Sequence, residues 1–272
     1  MTNTWRLLYT PPARGAWNMA VDESILEHIH RGESMPTLRL YAWEPACLSL
    51  GYAQPFADVD LERLKTNGWE VVRRVTGGRA ILHTDELTYS ITGGAEDPVL
   101  AGGVLESYNR LAQALLFAIH ELGLPVEIKE HTGEMNSQNL NPVCFEVPSS
   151  YEITVNEKKL IGSAQARKKE GVLQHGSLPL TGDLTRICDA LVFKDEASRK
   201  DAAERLLTRA TTVESVSGLK IDWETAAQAF VKGFEAQLGI HFQRGEMSRS
   251  ESERAGELVK EKYAHPAWTE RI

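Results

Sequence analysis

At 272 residues, with 42% hydrophobic and 25% charged side chains, the chain can bury a full core and reads as one large α/β domain with a helical tail. Its 30 Lys+Arg against 38 Asp+Glu give a net charge of −8, which argues against nonspecific nucleic-acid binding. Three cysteines, at 47, 144 and 188, are odd in number and lack CxxC spacing, so neither a disulfide framework nor a metal site is expected.

The amino terminus, from Met1 to Arg6, has no basic segment followed by an apolar run. The most apolar later stretch, Leu111 to Leu122, is interrupted by Gln113 and His120. A cytoplasmic protein without membrane contact is the expectation. Trp17, Ala20, Val21, Ser24, Ile25 and Ile29 recur at helical spacing and predict an amphipathic helix ending near Arg31-Gly32. Thr37 to Tyr52 reads as two short strands around Glu44-Pro45. A helix from Asp60 to Lys65 precedes a strand at Trp69 to Arg74, and Glu86 to Thr92 adds another strand. Leu105 to Leu122 predicts the longest helix, stopped by Gly123 and Pro125.

Residues His131 to Ser150 are rich in Asn, Gly, Pro and Ser, and irregular segments of that length in a compact domain commonly carry function or are disordered. Beyond them, Tyr151 to Val155 and Lys159 to Ala164 flank Asn156-Glu157 as a hairpin, followed by a strand from Gly171 to Leu180. From Asp183 onward the sequence is mostly helical, with helices near 197–208, 222–238 and 248–263. The expected fold is α/β (α+β): a mixed, mainly antiparallel sheet with flanking helices. Residues 1–215 form the main domain, and 216–272 a helical extension packed on it.

Cys47, in an apolar strand, and Cys188, in a helical stretch, read as core residues. Cys144, between Pro142 and Pro148, has a loop context that suits a structural and a nucleophilic thiol equally. Arg73, Arg74 and Arg79, with Lys158, Lys159, Arg167, Lys168 and Lys169, are either solvated faces or a positive patch for an acidic partner or a phosphate. Gly77-Gly78 is an ordinary tight turn, a place where backbone approaches a ligand, or both. His83 and His175 either line a site or are satisfied core histidines.

Three segments carry a more specific message. Arg73-Arg-Val-Thr-Gly-Gly-Arg-Ala-Ile-Leu-His83, continuing through Asp85-Glu-Leu-Thr-Tyr-Ser90, resembles the signature of the lipoate–biotin protein ligase superfamily. Lys159-Leu-Ile-Gly-Ser-Ala-Gln-Ala-Arg167, followed by Leu173-Gln-His-Gly-Ser-Leu178, looks like its second signature. Val143-Cys-Phe-Glu-Val-Pro-Ser-Ser-Tyr-Glu-Ile153, with Lys262-Tyr-Ala-His-Pro-Ala-Trp268 at the carboxyl end, resembles the branch of octanoyl-[acyl-carrier-protein]:protein N-octanoyltransferases.

The resemblance implies the catalytic-domain fold of that superfamily and a transfer chemistry. An octanoyl group passes from an acyl-carrier-protein thioester to Cys144, and then to a lysine of the H protein of glycine cleavage or another lipoyl domain. It implies catalytic roles for Cys144 and Lys159. It places Arg73, Gly77, Gly78, Arg79, His83, Gly162, Ser163, Ala164, His175 and Gly176 around the acyl substrate.

The chemistry is consistent, because a thioester is already activated and needs a nucleophile, a charge for the oxyanion and an apolar tunnel rather than ATP, so no cofactor is expected. A free thiol has a pKa of about 8.5, and a lysine at ~4 Å would raise its thiolate fraction. An octanoyl tail would gain roughly 5 kcal/mol on burial. Arg79 stands where ATP-using lipoate ligases carry a third glycine, and the residues after Ser215 read as helices rather than a separate accessory domain. The alternatives are such a ligase, an octanoyl amidotransferase acting between lipoyl domains, and a noncatalytic carrier-binding module. A monomer is the default expectation.

Overall fold

The computed structural model describes residues 3–130 and 151–272. Its strands are β1 (Asn3–Tyr9), β2 (Thr37–Tyr41), β3 (Cys47–Leu50), β4 (Glu70–Arg73), β5 (Ile81–His83), β6 (Glu86–Gly93), β7 (Glu127–Glu130), β8 (Tyr151–Val155), β9 (Lys158–Lys168), β10 (Gly171–Pro179) and β11 (Ile240–Arg244). The helices are α1 (Gly15–His30), α2 (Leu61–Asn67), α3 (Val104–Glu121), α4 (Glu196–Arg209), α5 (Val213–Ser217), α6 (Trp223–Leu238), α7 (Arg249–Leu258) and α8 (Pro266–Thr269). A 3-10 helix covers Leu184–Ala190, and a π turn, Val259–Tyr263, continues α7.

Local chemistry accounts for most boundaries. Asp60, Asp195, Asp222 and Ser248 each accept a hydrogen bond from the backbone N–H three residues on, capping α2, α4, α6 and α7. Gly68, Gly218 and Gly239 end α2, α5 and α6 in the left-handed conformation. Asn156 and Glu157 both have positive φ, at 49° and 66°, and close the β8–β9 hairpin.

The described strands form a main sheet in the order β11-β1-β2-β6-β10-β9-β8-β7 and a small sheet in the order β4-β3-β5. β11, β1 and β2 run parallel, and the remaining pairs of the main sheet are antiparallel. This is the mixed, mainly antiparallel architecture that the sequence predicts. Four strands go beyond the expectation, β1, β5, β7 and β11. Asn3–Tyr9 enters the sheet, and Ile240–Arg244, inside the tail expected to be helical, pairs with it. The two strands expected to flank Glu44-Pro45 also separate, β2 into the main sheet and β3 into the small one.

One face of the main sheet packs Leu87, Tyr89, Ile91 and Leu178 against α3 and α6, which supply Leu111, Leu115, Phe230 and Phe234. The other face meets α1, through Met19, Val21 and Ile25, with α7 behind it. The small sheet builds its own apolar cluster with Ile187, Cys188, Leu191 and Leu206. Cys47 and Cys188 are buried, 0% and 2% exposed, and burial pushes the Cys47 thiol well up. Among the described residues no helix is long and apolar enough to cross a membrane, and no group of three or more His, Cys, Asp and Glu could hold a metal ion.

A buried ion pair ties α7 to the sheet. Glu251 accepts Arg6 Nη1 and Nη2 at 2.9 and 2.6 Å, and also Ser34 Oγ and the Ser248 N–H. Burial would raise its carboxyl, but these donors hold it below the usual glutamate value. Glu251→Gln leaves Arg6 buried without its countercharge and is expected to cost about 3–5 kcal/mol, roughly 10 °C of melting temperature. The sign with pH follows from the depressed carboxyl. Its contribution is full above the unfolded value near 4.3 and is lost as pH falls through the folded value. Melting curves between pH 7 and 3 should therefore show a shallower acid decline for Glu251→Gln than for wild type.

Candidate acyl-transfer site

The turn that carries Gly77-Gly78 connects β4 to β5 and is organised by two arginines that face inward. Arg74 donates to the carbonyls of Ser49 at 2.7 Å, Gly77 at 2.8 Å and Arg79 at 2.8 Å. Arg73 is fully buried and donates to the carbonyls of Gly51 at 2.9 Å, Gln54 at 2.6 Å and Thr269 at 2.8 Å. A patch presented to acidic partners needs exposed cations, and of the three arginines in this segment only Arg79 is partly exposed. Arg73 and Arg74 spend their donors on main-chain oxygens instead. Backbone packing is tight on one side of the turn, where a Cβ on Gly51 would lie 1.9 Å from the Gly78 carbonyl oxygen. On the other side it is open, because a Cβ on Gly77 meets nothing within 4 Å.

Directly beneath the turn lies a buried polar network. Asp22 of α1 pairs with Arg39 of β2 at 2.8 Å and accepts from Ser90 of β6 at 2.7 Å and Tyr41 at 3.2 Å. Burial favours the neutral acid, but Arg39 and His175 hold the carboxyl below its ordinary value. His175 of β10 stands with Nδ1 3.8 Å from Asp22 Oδ2 and Nε2 2.6 Å from Thr76 Oγ1. Burial lowers the pKa of His175, and Asp22 opposes that shift. His83 is held differently. Its ring stacks on Trp43 at 3.9 Å, and its Nδ1 lies 2.5 Å from Glu86 Oε1.

The second signature lies on adjacent strands. Gly162, Ser163 and Ala164 of β9 face Ser177, Gly176 and His175 of β10 in register. Gly176 is required by crowding, since a Cβ there would sit 2.6 Å from the Gly162 carbonyl oxygen and 2.7 Å from the Tyr89 ring. The Ser163 hydroxyl is 2.7 Å from that of Tyr89, on the α3–α6 side.

Lys159 is buried, 5% exposed. Its direction depends on a one-residue slip against β8, where Ile153 pairs with Ile161 but Thr154 pairs with Lys159. Regular alternation would put Lys159 on the face of Ile161 and Ser163, in the α3–α6 core. The slip transfers it to the opposite face, the one that β9 and β10 share with Ala164 and His175. Lys158 donates to the Leu207 carbonyl at 2.6 Å, and Lys168 pairs with Glu23 at 3.0 Å. Cys144 lies within 131–150, outside the described residues.

Comparison with known proteins is decided by a match over most of the chain. Residues 14–235 match the lipoyl protein ligase A/B catalytic domain. The chain belongs to that family. It is 40% identical to the octanoyltransferase LipM of Moorella thermoacetica, covering 98% of both chains, and 36% identical to that of Clostridioides difficile, covering 99% of both. Among solved structures it is similar to the bipartite lipoate protein ligase of Thermoplasma acidophilum, with a TM-score of 0.79, 26% identity and coverage of 98% and 96%. It is also similar to a lipoate-protein ligase A bound with ATP, with a TM-score of 0.76, 26% identity and 99% of each chain covered. Like its relatives, this family member is an acyltransferase.

Several residues around the family's glycine turn escape a reading of the sequence. Asp22 and Arg39 are not chosen by charge or motif, and Thr76 lies inside the Arg73–His83 segment without being singled out, although Asn18 and Asp22, four apart on a helix that is otherwise apolar on this side, are a usable signal. The two glycine environments predict different outcomes for the same substitution. Gly51→Ala drives a methyl into the Gly78 backbone and should cost at least 1–3 kcal/mol, lowering the melting temperature by roughly 5 °C or more. Gly77 has no positive φ and open space around it, so Gly77→Ala should change stability by less than about 0.5 kcal/mol. Thermal melts of the two variants check this directly.

Proposed function

We propose that the chain moves an octanoyl group from an acyl-carrier-protein thioester, through a thioester on Cys144, onto a lysine of a lipoyl-accepting protein such as the H protein of glycine cleavage. The observation that carries this reading is similarity to octanoyltransferases along the whole chain, 40% identity over 98% of both proteins in one case. It is supported at Lys159, a buried cation turned by a strand irregularity toward the face that carries His175.

In the first step the Cys144 thiolate attacks the thioester carbonyl, the tetrahedral oxyanion collapses, and the carrier thiol leaves as thiolate and takes up a proton. In the second step the acceptor amine attacks the Cys144 thioester, loses a proton and displaces the Cys144 thiolate. Both bonds broken are thioesters, so the carbon is activated at each stage without a nucleotide. Lys159 supplies a positive charge for thiolate and oxyanion, and the glycine turn forms a wall beside the scissile bond. Arg73, Arg79, His83, Gly162, Ser163, Ala164 and Gly176 complete the surroundings of the acyl group, Arg73 by shaping the backbone. Lys169, exposed beside the Lys168–Glu23 pair, contributes to steering the acidic carrier.

A second reading, ATP-dependent ligation of a free acid, is favoured by the likeness to a ligase solved with ATP. The two separate in one assay. Wild type is expected to octanoylate an apo H protein from octanoyl-carrier protein with no ATP present, and Cys144→Ala to lose the covalent adduct seen by intact mass. Lys159→Ala should fall by about two orders of magnitude or more, each ~1.4 kcal/mol of lost transition-state stabilisation being tenfold. It should also move Cys144 alkylation to higher pH. A strict requirement for ATP with free octanoate or lipoate as donor overturns the transferase reading.

A further inference from the structure

Asp22 is satisfied without His175. Its Oδ1 takes Arg39 Nη1 at 2.8 Å and Ser90 Oγ at 2.7 Å, and its Oδ2 takes the Tyr41 hydroxyl at 3.2 Å. Oδ2 retains lone-pair capacity on the side facing His175 Nδ1, 3.8 Å away. A neutral imidazole with its proton on Nδ1, toward the carboxylate, leaves Nε2 as acceptor for the Thr76 hydroxyl at 2.6 Å. Thr76 is fully buried, and its carbonyl accepts the Tyr52 N–H at 2.8 Å, so side chain and backbone are both tied down. The next two residues are Gly77 and Gly78. Gly77, the exposed and uncrowded part of the turn, therefore follows a residue anchored to α1 through β10.

We infer that Asp22, His175 and Thr76 form a positioning relay for the acyl-transfer reaction, in which Asp22 orients His175, His175 holds Thr76, and Thr76 sets the Gly77-Gly78 turn against the thioester carbonyl. The inference rests on the transferase reading above. Asp22 and Thr76 are positioning residues, since each acts through a neighbour. A displacement of about 1 Å in a group beside a reacting carbonyl can cost ~100-fold in rate. The relay therefore acts on turnover rather than on capture of the carrier.

The test is steady-state octanoyl transfer from octanoyl-carrier protein to apo H protein without ATP, with carrier concentration varied and melting curves run alongside. Thr76→Val and His175→Gln should each lower kcat roughly 10–100-fold with KM for the carrier changed less than about twofold. Thr76→Ser, which keeps the hydroxyl, should restore most of the rate. The Thr76→Val/His175→Gln double variant should be no slower than the slower single variant, because both remove one unit. Asp22→Asn should join this pattern. If it does not fold, because Arg39 loses its countercharge, the Thr76–His175 pair still decides. Wild-type kcat in Thr76→Val, strictly multiplicative losses, or a change confined to KM overturns the relay while leaving the transferase reading in place. Failure of wild type to transfer without ATP overturns that reading, and the relay with it.

Discussion

Two consecutive carboxylates on α1, Asp22 and Glu23, lie where water is scarce, and much of the tertiary structure answers that fact. An ionised carboxylate in the interior is costly unless donors surround it. Successive helix residues point about 100° apart, so the pair collects partners in two directions. Asp22 gathers Arg39, Ser90 and Tyr41 from the main sheet. Glu23 gathers Lys168 of β9 together with Lys262 and Tyr263 of the carboxyl-terminal segment, at 2.6–3.0 Å. Burial is the largest single effect on both and opposes ionisation, but Arg39, His175 and Ser90 around Asp22, and Lys262, Tyr263 and Lys168 around Glu23, together outweigh it. One helix thereby positions the strands of the site and the end of the chain against each other.

The carboxyl-terminal segment reaches the glycine turn from the other side. Trp268 Nε1 donates to the Arg73 carbonyl at 2.8 Å, while the Arg73 guanidinium donates to the Thr269 carbonyl. Arg271 stacks over Tyr52 at 3.8 Å and over Trp268 at 4.2 Å. An irregular backbone cannot pair all its carbonyls with its own N–H groups, and a buried carbonyl left unpaired is penalised. Arg73 and Arg74 supply donors in quantity at that point. The turn is thus held along its carbonyl edge by arginine donors and open at Gly77.

Features set by neighbours in the chain were readable in advance. The span of α1, the long helix α3 and the turn of the β8–β9 hairpin at Asn156-Glu157 follow from periodicity and turn chemistry, and the structure has them within a residue or two, although β9 runs on to Lys168, four residues past the expected Ala164. β1 and β11 are not legible in the sequence, because they pair in parallel with each other across more than two hundred residues. Thr37–Tyr41 and Cys47–Leu50 read as a local pair, yet the backbone between them turns from one sheet to another.

The residues at the site divide in the same way. Sequence alone determined the family resemblance, because the glycine turn, the Lys159 segment and the Cys144 context are contiguous strings that can be matched without knowing the fold. Tertiary structure decided which way those residues face. Arg73 and Arg74 read as surface cations until the fold surrounds them with carbonyls. Lys159 would lie in the apolar core under strict alternation, and only the slip against β8 turns it to the other face. Asp22 and His175, 54 and 99 residues from Thr76 in the chain, line up with it only when α1, β10 and the turn are packed together, His175 at hydrogen-bond distance from Thr76 and 3.8 Å from Asp22. Orientation and long-range pairing depend on partners distant in sequence, whereas residue type and local period do not.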